Sequence, residues 1–407
     1  LIKKLAFGVG ALVALTVFAF ALWYFRPWSD LSPSDVSRLK NLDERIEVYR
    51  EMDAILPSRK IEGVSNPLPL PRNIQPLNVT YEFDGKVKSL DEFIKERTIT
   101  GLVVLKDGVL VHESYYLGEQ PESRHTSWSV AKSYIATLVA MALEEGLIAS
   151  IDDKAEKYVP AFAGTDFGDT SIRHLLMMSS GIDFNEDYEA EGSDIRNLFF
   201  GVFVFNADVD KMVRKYKRNR PAGQDFDYIS PNTHVLSAVV RAVYGKPIAA
   251  LIDEKLYKPL GMPAAYWNQD RKGDKGKAIG YCCLSTRAVD YARFGQLYLQ
   301  DGVWQGKRIL PEGWVDTIAT PRADFQEPVP GEHFGYSYQF WIPPDYDDEF
   351  FAAGYNGQII WVDRKRGVVI VRTSADRYYI EHADENIAVM RAIAKAVSGA
   401  EEDAAPE

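Results

Sequence analysis

From Leu5 to Phe25 the chain carries no charge and is apolar on every side of a helix. A helix of that length reaches about 30 Å, the thickness of a bilayer's hydrocarbon core. Lys3 and Lys4 precede the run, Trp23 and Tyr24 stand where an interfacial aromatic belt would lie, and Arg26 with Pro27 ends it. The pattern predicts a membrane-spanning segment with its N-terminus in the cytoplasm and everything after Arg26 on the extracytoplasmic side. Ala19, Phe20 and Ala21 would suit a signal peptidase, but cleavage there would leave Leu22, Trp23, Tyr24 and Phe25 as a new N-terminus. A retained anchor is therefore the reading, in the inner membrane as a single pass.

Beyond the anchor the pattern changes. Residues 28–75 mix charges with Pro67, Pro69 and Pro71 and read as a tether. Two strand-like runs follow, 101–105 and 109–116, joined by Asp107 and Gly108, a pair suited to the positive φ angles of a tight hairpin. Apolar positions at helical spacing from Val130 to Glu145 predict a buried helix, stopped by Gly146. Further helices are predicted at 171–179, 207–217, 232–244, 247–257, 286–300 and 311–319. Strands return at 334–342, 358–362 and 368–373, and a helix over 384–397 closes the fold. Strands at both ends with helices between them predict an α+β fold, a sandwich of one antiparallel sheet flanked by helices with an inserted helical lobe. The expected organisation is an anchor at 1–27, a tether at 28–75, a catalytic domain at 76–399 with its helical lobe at about 129–330, and an acidic tail at 400–407. A cleft between sheet and lobe is the natural active site.

Composition narrows the chemistry. Of 407 residues 46% are hydrophobic, which permits a large core. Lys and Arg number 47 against 58 Asp and Glu, a net charge of −11 that repels phosphate backbones, so nucleic acid is excluded as a partner. The only cysteines, Cys282 and Cys283, are adjacent and are expected to be two unpaired buried thiols. The six histidines show no metal-ligand spacing, and the glycine patterns of a hydrolase elbow, a phosphate loop or a dinucleotide site are absent.

One pattern remains. Ser-x-x-Lys puts a hydroxyl and an amine on one helix face, where a desolvated neutral lysine can take the serine proton. It occurs twice, at Ser37 to Lys40 and at Ser129 to Lys132. The first lies among charges that keep its lysine solvated; the second opens the most apolar helix after the anchor. Ser129 is thus the expected nucleophile. Tyr228 precedes another helix, and beside the Lys132 ammonium its phenol would lose its proton more easily, fitting it to relay protons. A glycine-rich run from Ala353 to Gln358 leads into a strand whose amides could hold a carbonyl oxygen.

With these residues in order, roughly 90–395 resembles the serine beta-lactamase and penicillin-binding-protein superfamily, in its class C beta-lactamase, esterase and 6-aminohexanoate-dimer hydrolase branch. The stretches 151–160, 171–181, 228–236, 258–263 and 285–295 carry the likeness, and 261–270 looks particularly like the dimer hydrolase subgroup. The resemblance implies that Ser129 is acylated, that Lys132 and Tyr228 act as general base and acid, and that the amides of Ser129 and Gln358 form an oxyanion hole. It implies no metal and no cofactor, and a small amide or ester as substrate. Tyr355, Asn356, Gly357 and Asn232 are expected at the substrate. Two departures stand out: Ser230 replaces the asparagine of the family's Tyr-x-Asn box, with Asn232 two places on, and Tyr355, Asn356 and Gly357 replace Lys-Thr-Gly, removing a cation that would attract a carboxylate. Poor beta-lactamase activity is expected. Two other readings keep the fold: a peptidoglycan D-amino-acid peptidase, and a non-catalytic subunit bound to a membrane-protein partner.

Overall fold

Seven antiparallel strands run side by side in the order Gly335–Ser337, Phe340–Ile342, Glu349–Gly354, Gln358–Asp363, Val368–Ser374, Ile99–Lys106 and Val109–Tyr115. The structure is a computed structural model that describes residues 2–26, 28, 32–39, 41 and 43–399, and the side chains from Lys4 onward. Lys40, Pro27 and the acidic tail at 400–407 lie outside the described residues, as does the side chain of Lys3.

Side chains alternate between the two faces of the sheet, as pleating demands. Val103, Leu105, Ile360, Val362, Val369 and Val371 face the large core shared with the helical lobe. Leu102, Val104, Ile359, Trp361, Val368 and Ile370 face a second core under the helices Leu90–Glu96 and Ala383–Ser398. Burial on both faces explains why these strands read as continuous apolar runs. The expected α+β sandwich with an inserted helical lobe is the observed fold.

The hairpin between Ile99–Lys106 and Val109–Tyr115 turns on Asp107 and Gly108, both at positive φ, 47° and 79°. Asp107 also donates its amide to Gly367 O at 2.8 Å, which ties this turn to the next hairpin. The buried helix runs Ala131–Glu144 behind a short 3-10 turn, Trp128–Val130, and ends at Gly146 with φ 71°. The predicted single strand at 334–342 is instead a hairpin, because Gln339 takes φ 65° and reverses the chain. Glu349–Gly354 and the helix Asp194–Phe203 were not predicted.

The expected tether differs most. Pro33–Arg38 and Arg45–Ile55 are helices, and Ser58–Ile61 pairs antiparallel with Ala265–Asn268 in a four-stranded sheet completed by Leu284–Thr286 and His125–Thr126. Val48, Tyr49, Met52 and Ile55 repeat at helical spacing and are buried in the main core. Even the proline run is fixed, with Leu68 N bonded to Gly261 O at 2.9 Å.

The two cysteines also depart from expectation. The Cys282–Cys283 peptide is cis, and the two sulfurs form a disulfide.

Residues Lys4–Phe25 form a helix of mean hydropathy 2.4, none of it buried by the rest of the protein, and long enough to cross a membrane. Its far end touches the globular part: Tyr24 Oη donates to Ser37 Oγ at 3.0 Å, and Arg26 Nη2 to Val204 O at 2.7 Å.

Candidate active site

The turn before the buried helix is set by its neighbours. Ser127 N donates to Leu284 O at 2.7 Å and Leu284 N donates back to Ser127 Oγ at 2.8 Å, pinning the chain to the small sheet. Trp128 then adopts φ 45°, a left-handed conformation that costs a bulky residue about 1–2 kcal/mol. It persists because the Trp128 ring is held edge-on by Tyr49 and Tyr355, each 5.4 Å away. Gly354 completes the support: a Cβ there would stand 2.4 Å from Ser127 O, so only glycine lets this strand approach the turn.

The geometry brings three expected residues together. Lys132 Nζ lies 2.9 Å from Ser129 Oγ, 3.2 Å from Ser230 Oγ and 3.2 Å from Tyr281 O. The amine also sits 4.8 Å from the centre of the Tyr228 ring. Burial disfavours the ammonium and lowers the Lys132 pKa to about 8, against an opposing pull from the Glu186 carboxylate. A neutral amine is therefore accessible near neutral pH.

Tyr228 behaves differently from expectation. Its ring stacks on Trp341 at 5.2 Å, and burial raises its pKa despite a hydrogen bond with Ser129, while Glu186 pushes it further up. Desolvation outweighs the hydrogen bond with Ser129, so the phenol stays protonated.

Glu186 went unrecognised in the sequence. Its Oε2 accepts from Ser230 N at 2.9 Å, its Oε1 accepts from Tyr188 Oη at 2.7 Å, and it also meets Ser230 Oγ. Burial raises its pKa, with Lys132 and the Ser230 bonds holding it down. Ser230, the departure from the family's box, thus links the lysine to a carboxylate. The only sequence signal is an acidic loop, 183–191, after the stretch ending at Gly181. Replacing Glu186 by glutamine removes the charge that favours the Lys132 ammonium, so the alkaline rise in activity is expected to move to lower pH in a kcat/KM profile.

The remaining expected residues divide. Gln358, Tyr355 and Gly357 border the same cavity of about 570 Å3 as Ser129 and Tyr228. Asn356 does not. It occupies the turn with φ 59° and buries its amide, donating to Asp376 O at 3.3 Å and accepting from Tyr49 Oη at 2.6 Å and Arg45 Nη1 at 3.2 Å. Asn232 is also buried, its Nδ2 3.4 Å from Met178 Sδ, away from the cavity. Both are structural because the short side chains point into packed interior.

Two arginines that the sequence did not mark border the cavity, Arg372 and Arg377. Arg372 is committed to the turn, donating Nε to Gly357 O at 2.8 Å and Nη1 to Asn386 Oδ1 at 2.5 Å. Arg377 stands at the exposed rim.

A family model described as Beta-lactamase matches residues 87–395. The 6-aminohexanoate-dimer hydrolase of Paenarthrobacter ureafaciens is 27% identical over 304 residues, covering 71% of this chain and 76% of that protein. Among solved structures, one described as a 6-aminohexanoate-dimer hydrolase from Bacillus anthracis aligns with a TM-score of 0.78 at 24% identity, over 88% of this chain and 96% of its own. EstCE1, described as a hydrolase with promiscuous acyltransferase activity, aligns at 0.60 and 16% identity, over 75% and 96%. At such identities the solved structures speak to fold.

Proposed function

The chain belongs to the beta-lactamase family, and from that premise we propose that it is a serine hydrolase cleaving an amide or ester through an acyl-enzyme on Ser129. The observation that carries the reading is the Lys132 amine, 2.9 Å from Ser129 Oγ and with its pKa lowered to about 8.

Neutral Lys132 takes the Ser129 proton as Oγ attacks the carbonyl carbon. The amides of Ser129 and Gln358 then hold the developing oxyanion. Tyr228, protonated and facing both Ser129 and the cavity, passes a proton to the departing amine or alcohol and is recharged from Lys132. Water enters next, gives a proton to Lys132 as it attacks the acyl carbon, and the Ser129 Oγ–acyl bond breaks as Lys132 returns that proton to Oγ, releasing the acid and the free enzyme. The apolar helix at the N-terminus supports membrane anchorage with this domain outside the cytoplasm.

The direct test is labelling with a fluorophosphonate. Covalent modification mapped to Ser129, with hydrolysis of p-nitrophenyl esters, is expected; a folded protein that neither labels nor hydrolyses would refute the reading and favour a non-catalytic subunit. Beta-lactams should be poor substrates. The turn at Tyr355, Asn356 and Gly357 carries no cation of its own, Arg372 is tied to Gly357 O and Asn386, and Arg377 stands at the exposed rim. Loss of one charged hydrogen bond at the turn weakens binding by roughly 10- to 150-fold. Nitrocefin turnover at the rate of an efficient beta-lactamase would contradict this, and a muropeptide digest would expose a D-amino-acid peptidase.

A further inference from the structure

Ser129 opens onto two cavities. One is the space of about 570 Å3 that Tyr228 borders. The other, of about 300 Å3, also reaches Ser129 but does not include Tyr228. Tyr188, Glu189 and Tyr355 are common to both and form the partition between them. The leaving group must meet the Tyr228 proton, so it departs into the first space. The acyl portion is left with the second.

That second space is a groove whose walls are mostly apolar, with Arg45, Glu189 and Arg196 also bordering it. Val36 and Leu39 come from one side, and Ile195, Phe199 and Phe200 from the helix Asp194–Phe203 on the other. Both walls abut the end of the apolar N-terminal helix. Tyr24 bonds to Ser37 in the helix that carries Val36, and Trp23 lies 6.5 Å from Phe205, just beyond the helix that carries Phe199. Arg26 closes the same junction through Val204 O. Phe205 and Trp28 are 67% and 68% exposed there, a costly display in water but an ordinary one at a bilayer surface.

We infer that this groove receives a long aliphatic acyl chain, so that the substrate is an amphiphile drawn from the bilayer in which the protein is anchored, its ester or amide carbonyl presented to Ser129. The inference rests on the hydrolase reading above for the chemistry, and on the groove alone for the chain.

Two measurements separate the claims. The full-length protein, reconstituted in phosphatidylglycerol and phosphatidylethanolamine vesicles, is given p-nitrophenyl esters from acetate to decanoate. Burial of each methylene is expected to raise kcat/KM by about two- to fourfold. Leu39→Glu and Phe199→Glu, each placing a charge in the groove, should cut the decanoate-to-acetate ratio by about tenfold or more. Brisk acetate hydrolysis with a flat chain-length series would overturn the groove while leaving the Ser129 chemistry standing. Decanoate ester supplied in separate vesicles should react more slowly than ester in the vesicles holding the protein; equal rates would overturn entry from the bilayer. Independently of turnover, a diazirine-bearing palmitate should crosslink to 36–39 and 195–200 in reconstituted Ser129→Ala protein. Crosslinks confined to 5–25 would refute the groove, and groove crosslinks in Ser129→Ala beside a folded wild-type protein that hydrolyses no ester of the series would instead refute the hydrolase reading.

Discussion

Ser129→Ala is expected to lower kcat by about 10^4- to 10^6-fold for any ester the protein cleaves, the range seen when a hydrolase loses its nucleophile. The change removes one oxygen at a turn already fixed by Ser127, Leu284 and the rings around Trp128, so the folded state should survive. Thermal melting checks that point and a steady-state assay the first. A loss below tenfold would assign the chemistry to another residue. Cysteine at the same place provides a further reading, since a thiolate can attack where alanine cannot.

Lys132→Met should cost about 10^2- to 10^4-fold, the contribution of a positioned general base. It should also erase the rise in kcat/KM expected of wild type as pH climbs through about 8, where the Lys132 ammonium loses its proton. If the rise persists, the base is elsewhere. Stability should move the opposite way. In wild type the lysine pKa falls from its ordinary value of 10.5 to about 8 on folding, so between those values the unfolded chain binds more protons. Wild-type stability thus climbs with pH across that window, and the penalty for a buried ammonium is fully present below it. Methionine has no such penalty but leaves the buried Glu186 carboxylate without its cation, so the double variant Lys132→Met/Glu186→Gln, which removes both charges, should melt higher than wild type at neutral pH.

What the sequence disclosed follows from how local each feature is. The hairpin at Asp107 and Gly108 and the helix after Ser129 are written in consecutive residues, so both were readable. Arg45–Ile55 was equally local, with Val48, Tyr49, Met52 and Ile55 at helical spacing, but charges beside them and prolines after them masked it. Tyr49 shows the cost of that miss: the supposed tether supplies a ring that braces Trp128 and a hydroxyl bonded to Asn356. Glu186 is of another kind. Its contact with Ser230 and its influence on Lys132 exist only after three distant segments have met, and no spacing encodes that. The disulfide between Cys282 and Cys283 is likewise invisible in composition.

The middle of the large sheet has a consequence for synthesis. Ile99–Lys106 takes its main partner from Val368–Ser374, roughly 260 residues later. Closing so large a loop before any pairing is gained makes such topologies slow. The early strand, seven of whose eight residues end up buried, must therefore wait through most of translation with only its hairpin mate Val109–Tyr115 beside it and its other edge open. A chain stopped anywhere before Val368 would expose an aggregation-prone ribbon in place of its central pair. A nascent chain of this design depends on being sheltered until its last tenth arrives.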